Sequence, residues 1–230
     1  MDGRPVVKLF FFCGRRDDLS HDAYAERLLH GHVPIALRHH PTLRRYTVNI
    51  VESSSPGSPP VDSIGELGFD SLDDYRHRLY DSPAGERIVA ADVQGFLGAV
   101  AAYATTEHVQ RARPAPARLG ERSAGVKFVA AVRRAEGLDH DGFVRGWLER
   151  HVPLVLADPR VRGYKTNVVD ARLSPDAPEY DGIAELYFDS AADLDAHIRL
   201  SRDESQPIRA DIQRFVAQAT TYRVAEYVQR

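Results

Sequence analysis

The sequence predicts an α+β protein made twice over: two βαββαβ units in one chain, their antiparallel sheets packed face to face and their helices outside. Three observations lead there. The 230 residues repeat themselves, mostly at an offset of 119. Each half runs through apolar stretches of strand length and helical stripes in the order β-α-β-β-α-β. A sheet covered by helices on one face has to bury the other, and the twin sheet is the partner at hand.

The repeat is explicit. Leu-x-His-Asp occurs at Leu19–Asp22 and Leu138–Asp141, and His-Val-Pro at His32–Pro34 and His151–Pro153. Arg-x-Tyr-x-x-Asn-x-Val occurs from Arg44 and Arg162, Asp-x-Ile-x-Glu-Leu-x-Phe-Asp-Ser from Asp62 and Asp181, and Asp-x-Gln-x-Phe from Asp92 and Asp211. A repeat of roughly a hundred residues is too long for a solenoid unit and is domain-sized. The expected boundaries are 1–110 and 126–230, joined by a Pro/Ala/Arg/Gly-rich linker at 111–125. Each unit is small enough to gain from burying a face on its twin.

The elements follow in order. Val6–Cys13 and Val126–Val132 read as first strands. Ser20 and Asp139 cap the next helices. Their apolar stripes run Tyr24, Leu28, His32 and Phe143, Trp147, His151, at i, i+4, i+8. Pro34 and Pro153 crowd the carbonyls of His30 and Glu149, so each helix should bend beside its stripe histidine and open space against the sheet. Arg45–Val51 and Gly163–Val169 are second strands; Ser63–Phe69 and Gly182–Phe188 are third strands. Pro-bearing loops, Ser53–Pro60 and Ala171–Glu179, lie between them. Asp-Ser opens short helices at Leu72–Leu79 and Ala192–Leu200. Broken helical stretches lead to Asp92 and Asp211, and last strands carry Tyr103, Glu107 and Tyr222, Glu226. Each half is a ferredoxin-like split βαβ unit.

Composition narrows the function. A net charge of -3 with no basic stripe argues against nucleic acid as a partner. Cys13 is the only cysteine, which rules out an intrachain disulfide and points to a reducing compartment. Its neighbours Phe10–Phe12 mark it as a buried, inert thiol. No apolar run has the length of a signal peptide or a membrane span. The expectation is a cytoplasmic protein, a monomer or weak homodimer, because fusion already supplies the twin. No phosphate-cradling loop, nucleophile elbow or Cys–His pair occurs. His30, His32, His39 and His40 cluster in sequence, but the helix spreads the first two and the last two have no histidine twins. Neither a metal nor a cofactor is expected.

His32 and His151 lead the candidate list, since each lies on the stripe that faces the sheet and imidazole suits general acid–base work near neutral pH. The alternative is a core histidine bonded to a backbone carbonyl, and repetition does not separate the two. Lys8, Asn49, Glu66 and Glu107 are polar residues in apolar strands, as are their twins Lys127, Asn167, Glu185 and Glu226. On one face they would line a small-molecule pocket, and a carboxylate there would have a raised pKa. Alternatively they form an internal Lys–Glu ion pair or sit at solvated strand ends. Tyr46, Tyr164, Tyr103 and Tyr222 offer donors for a carbonyl or enolate oxygen, or simply pack. Trp147 stacks on a planar ligand or fills the core. Asp92 and Asp211 read as structural, bound to backbone N–H groups or an arginine.

Trp147-x-x-x-His151-x-Pro153-Leu154, Gly163-Tyr164-x-x-Asn167 and Tyr180-Asp181-Gly182-Ile183-Ala184-Glu185-Leu186-Tyr187-Phe188-Asp189-Ser190 resemble the EthD family of the dimeric α/β-barrel superfamily. The first half departs from it at Leu28, Arg45 and Val61-Asp62-Ser63. The resemblance implies an intramolecular dimeric α/β barrel and a superfamily of polyketide cyclases, dehydratases, decarboxylases and cofactor-free monooxygenases. By analogy it implies a cofactor-independent enzyme that cyclises or dehydrates a polyketide or aromatic intermediate. His151 (or His32) would take a proton alpha to a carbonyl, Tyr164 and Asn167 would hold the enolate, and Glu185 or Glu66 would return a proton. Trp147, Tyr46, Asn49, Tyr222 and Tyr103 would contact the hydrophobic substrate. Two alternatives stand: a cofactor-free monooxygenase, and a non-catalytic protein that binds a hydrophobic small molecule. Val129–Ala131, smaller than Phe10–Phe12, predicts a roomier second-half cavity.

Overall fold

The computed structural model describes residues 7–113 and 118–230. Position 6, where the sequence pattern starts the first strand, and 114–117 of the linker lie outside the described residues. The first half comprises β1 (Val7–Arg15), α1 (His21–Glu26), α2 (Val33–His39), β2 (Arg45–Ser54), β3 (Ser63–Phe69), α3 (Leu72–His77), α4 (Pro83–Gln94) and β4 (Leu97–Arg111). The second comprises β5 (Val126–Arg134), α5 (His140–Arg145), α6 (Val152–Leu156), β6 (Gly163–Arg172), β7 (Gly182–Phe188), α7 (Ala191–Arg202), α8 (Pro207–Phe215) and β8 (Val216–Val228). The expected caps form: Ser20, Asp139, Ser71 and Ser190 each accept a backbone N–H of the following helix.

The two expected sheets, β2-β3-β1-β4 and β6-β7-β5-β8, face each other, and their edges are joined as well. β2 pairs with β8 and β4 with β6, all antiparallel, so eight strands close into one barrel. At the seams Asn49 stands opposite Glu226, and Glu107 opposite Asn167. A closed barrel has no free edge, and eight strands leave an interior that side chains can fill. Part of the segment read as linker belongs to the barrel. Arg111 ends β4, and Gly120 and Ser123 donate backbone hydrogen bonds to β8 carbonyls.

Strand alternation sorts the side chains into three layers. Phe10, Phe12, Val129, Ala131, Tyr103 and Tyr222 point into the barrel. Leu9, Tyr46, Val48 and Phe69 point outward, under α1, α2 and α4 of the first half. Tyr164, Ala184, Leu186 and Phe188 do the same under the helices of the second.

One departure between the halves has a clear packing cause. The six-membered ring of Trp147 lies against Gly182, where any Cβ would overlap it. In the first half the equivalent pair is Leu28 and Ser63, and the space goes to Tyr24, whose hydroxyl lies 2.7 Å from Ser63 Oγ. Tryptophan and glycine therefore form a matched pair. Gly182→Ala should cost about 1–3 kcal/mol by overpacking. Adding Trp147→Leu should recover most of that loss. Chemical denaturation of the two single variants and the double variant measures the coupling; additive effects would show that the pair is not matched.

Candidate active site

Each half carries the same helix irregularity. Between α1 and α2 lies a π-helical turn, Arg27–His32, and between α5 and α6 another, Gly146–His151. Each ends on its stripe histidine, two residues before the proline. The expected bend is thus taken up as a widened turn, a feature frequent at functional sites. It presents His32 and His151 to the gap between helix and sheet.

Two cavities fill those gaps. The second-half cavity, about 280 Å³, is lined by Trp147, His151, Tyr164 and His197 among apolar residues of β5, β7 and α8. The first-half cavity, about 260 Å³, is lined by Leu28, His32, His40 and Tyr46 among others. The expected difference in size is nearly absent. Only Phe11 and Ala130 of the compared triplets reach these cavities; the flanking residues point into the barrel. Trp147, standing where the first half has Leu28, offsets the room that Ala130 leaves.

In both cavities the histidine is held by an aspartate. Asp211 Oδ2 lies 3.2 Å from His151 Nδ1, and Asp92 Oδ2 lies 2.8 Å from His32 Nδ1. Arg150 Nε donates to the other oxygen of Asp211 at 2.6 Å, and Arg27 donates through Nη2 to the other oxygen of Asp92. Asp92 and Asp211 do bind an arginine, as expected, but each also orients a histidine. A carboxylate on Nδ1 holds the proton there and leaves Nε2 bare, the tautomer a general base needs. Among the described hydrogen bonds none engages Nε2 of either ring. Burial pushes the His151 pKa down to about 4, against the opposing pull of Asp211. Burial likewise lowers that of His32, against Asp92. Both rings are therefore neutral at pH 7.

The second cavity holds a second such dyad that the repeat does not announce. His197 on α7 lies with Nδ1 2.8 Å from Asp158 Oδ2, and its pKa is also lowered by burial. Its counterpart in the first half is Arg78. The buried face of α7, Leu194 and His197, was the sequence signal that could have found it. Tyr164 joins the site too. Its hydroxyl accepts from Trp147 Nε1 at 3.0 Å, and burial raises its pKa, so its own O–H stays protonated.

The carboxylates and asparagines are elsewhere. Tyr164 and Asn167 stand three residues apart on β6, so they project from opposite faces and cannot hold the same enolate. Asn167 and Glu185 point into the barrel, as do Asn49 and Glu66. Each asparagine donates to its glutamate, at 3.0 and 2.8 Å. Lys8 contacts Glu66 at 2.7 Å, Glu107 at 3.0 Å and Glu185. Lys127 contacts Glu185 at 2.7 Å, Glu226 at 3.2 Å and Glu66. The sequence alternatives resolve here as an internal ion-pair cluster. The expected raised carboxylate pKa is reversed at Glu185. Burial opposes its charge, but Lys127 and Lys8 outweigh burial and hold the pKa well below the usual range. Burial is outweighed in the same way at Glu107 by Lys8 and Lys165, and at Glu226 by Lys127 and Arg113, giving about 2 at each. An anchored carboxylate of that kind does not return protons at neutral pH. Tyr187, which sequence reasoning passed over, lies 3.1 Å from Glu185 Oε2. Tyr103 and Tyr222 sit in the barrel's aromatic layer, against Phe12 at ring distances of 5.7 and 5.8 Å. They are separated by the sheet from both helix-side cavities, as are Asn49, Glu66, Asn167 and Glu185. Among the described residues no group of three or more His, Cys, Asp or Glu is placed to hold a metal ion. No helix among them is long and apolar enough to cross a membrane.

Comparison with known proteins bears on this geometry. A family model of the EthD domain matches residues 16–99 and again 135–219. No curated protein sequence matches the chain. An anthrone oxidase-like protein of known structure aligns with a TM-score of 0.67 at 11% identity, covering 99% of this chain and 94% of that one. A candidate monooxygenase from Fusobacterium nucleatum aligns at 0.59 and 7% identity, covering 100% and 94%. A candidate chlorite dismutase aligns at 0.55 and 9% identity, covering 96% and 95%. At these identities the likeness is one of fold.

Two outcomes follow from the buried charges. Lys127→Met leaves three glutamates short of a cation and should cost about 3–5 kcal/mol. Lys127→Met with Glu185→Gln should cost less than the lysine change alone, as read by urea midpoints. The second outcome concerns pH. His151 titrates near its ordinary 6.5 when unfolded and about 4 when folded. Between those values only the unfolded chain takes up the proton, so stability falls as pH drops from about 6.5 to about 4. Glu107 and Glu226, ordinary value 4.5 and folded value about 2, add a second loss between about 4.5 and 2. His32 and His197, lowered by burial as well, act in the same upper window, so His151→Gln should make the upper part of the curve of thermal midpoint against pH shallower and leave the lower part unchanged.

Proposed function

The chain belongs to the EthD-domain family, and on that premise we propose that its second half is a cofactor-independent acid–base enzyme acting on a polyketide or polycyclic aromatic carbonyl compound. The single observation that carries this reading is the His151–Asp211 dyad on a π-helical turn, lining a mostly apolar cavity of about 280 Å³ beside Trp147 and Tyr164. In the proposed cycle Nε2 of His151 removes a proton from a carbon next to a carbonyl. Asp211 accepts the Nδ1–H bond and steadies the imidazolium that results. Tyr164, whose oxygen already accepts from Trp147, turns its O–H to the developing enolate oxygen. The enolate carbon then attacks a second carbonyl of the same molecule. His151 returns its proton to the new alkoxide, which completes an aldol cyclisation.

A base with a pKa of about 4 is weak, and its conjugate acid gives the proton back readily. That favours a substrate whose C–H is already acidified, such as a carbon between two carbonyls of a poly-β-ketone. It also supports one histidine in both directions of transfer, in place of a carboxylate for the return. His197, neutral by the same logic, stands as a second proton carrier for a following loss of water.

Two structural neighbours support a second reading. An anthrone oxidase-like protein and a candidate monooxygenase share the fold, so the same carbanion could reduce oxygen in place of attacking a carbonyl. A cytoplasmic setting and a monomeric or weakly dimeric state belong to the same proposal; the barrel closed within one chain and the lone, buried Cys13 support them.

The test uses a poly-β-ketone mimic and anthrone, each under air and under nitrogen. Turnover independent of oxygen supports cyclisation; turnover that stops under nitrogen with oxygen uptake supports the second reading. In either case His151→Ala should lower kcat about a hundredfold or more, the scale of a lost general base, with the fold intact by circular dichroism. His32→Ala should change it only a few-fold. Unchanged kcat in His151→Ala would remove the histidine from the mechanism.

A further inference from the structure

The two cavities share size and a histidine dyad but differ in charge. Among the described residues no aspartate or glutamate lines either one. Among the described residues no lysine or arginine lines the first, whereas Arg209 and Arg202 line the second. Arg202 is exposed at the rim. Arg209, in the first turn of α8, is half-buried, and its Nε is fully buried with no hydrogen-bond partner. Among the described residues its guanidinium meets no carboxylate. The equivalent position in the first half is Ala90, so the arginine belongs to one cavity only.

A buried, unpartnered donor on a permanent cation is costly, and native proteins satisfy nearly all such groups. The nearby carboxylates are committed: Asp211 to Arg150 and His151, Asp158 to Arg160 and His197. The protein therefore supplies two neutral imidazoles, a mostly apolar wall with one indole, the exposed Arg202 at the rim, and the half-buried guanidinium of Arg209 with an unpartnered N–H. A ligand group that accepts from that N–H would complete the cavity's lining. We propose that the second-half cavity takes a planar, apolar ligand carrying one acidic oxygen group, a carboxylate or phenolate, and that Arg209 recognises that group. The proposal deepens the functional reading above and rests on it, since it names the charge of the substrate for the same cavity. The guanidinium's fork suits a carboxylate in particular, with two parallel N–H donors. Binding the acid at Arg209, on α8, would set the opposite end of a fused-ring substrate against the Tyr164 wall of β6. The ligand is thereby oriented before any proton moves, which is where much of a positioning residue's effect lies.

Trp147 is the chain's only tryptophan and lines this cavity, so its fluorescence reports on occupancy here and not in the first half. The probes are 2-naphthoate and its neutral isostere 2-naphthamide, titrated while Trp147 emission is followed. The wild-type chain should bind the acid about tenfold or more tightly than the amide, the scale of a charge-assisted pair. Arg209→Gln should bring the two affinities together by weakening the acid alone, and Arg209→Lys should restore part of the preference. Equal affinities in the wild-type chain, or a preference that survives Arg209→Gln, would overturn the proposal and leave the cavity as a neutral-ligand site. Equal loss of both probes in Arg209→Gln would assign the arginine a structural role and overturn it as well. If neither probe perturbs Trp147 in the wild-type chain, the proposal and the functional reading fall together.

Discussion

Two lysines and four glutamates are shut inside one end of the barrel, and the rest of the molecule is arranged so that they can stay charged there. Lys8 and Lys127 each meet glutamates from both halves. Neither half alone could bury its lysine beside the twin's glutamate. Taking such groups out of water costs several kcal/mol per ion unless geometry and hydrogen bonds make it good. The partners that do so come from every direction. Asn49 and Asn167 donate to Glu66 and Glu185; Arg113 and Ser123 reach Glu226 from beyond the end of β4; Lys165 and Arg45 reach Glu107. Register follows from this. A slip of one residue in any of these strands would turn its charged side chain out under the helices and an apolar one in.

That constraint also explains which parts of the molecule the sequence makes legible. Repeated strand and cap motifs name the elements, and the need of each sheet for a partner on its bare face names the barrel. His151 and Trp147 are legible as site residues because a helical stripe declares its own face. The strand residues were harder. Asn167 and Tyr164 read as neighbours along the chain, but their odd spacing puts the sheet between them. Glu185 reads as a buried carboxylate and hence as an acid; the two lysines that reverse this lie 58 and 177 residues away, in strands whose adjacency only the closed barrel reveals. His197 and Arg209 were invisible to a reading built on repetition, because their counterparts are Arg78 and Ala90.

The residues that differ between the halves are the more informative for function. A homodimer must carry every substitution twice, once at each symmetry-related place. Within one chain the twins are free to part. Trp147 with Gly182 replaces Leu28 with Ser63, and Tyr187 replaces Gly68. His197 and Arg209 enter one cavity alone. What stays common is the π-helical turn, the His–Asp dyad and the ion-pair cluster, so the scaffold is kept twice while the lining of the cavity is specialised once.

The joined edges carry a consequence for the birth of the protein. During synthesis β2 and β4 emerge long before β8 and β6, the strands that will pair with them. Until β6, β7 and β8 leave the ribosome, the first half presents two unpaired edges and a lysine without one of its glutamates. Open edges are templates for any strand that fits, and the best fit nearby is the second half of a neighbouring chain on the same message. Contacts as distant in sequence as Lys8 and Glu185 also make closure slow relative to local folding. The architecture that leaves the finished barrel without an edge therefore exposes its nascent form to exchange of halves between chains, a hazard set by the order of translation.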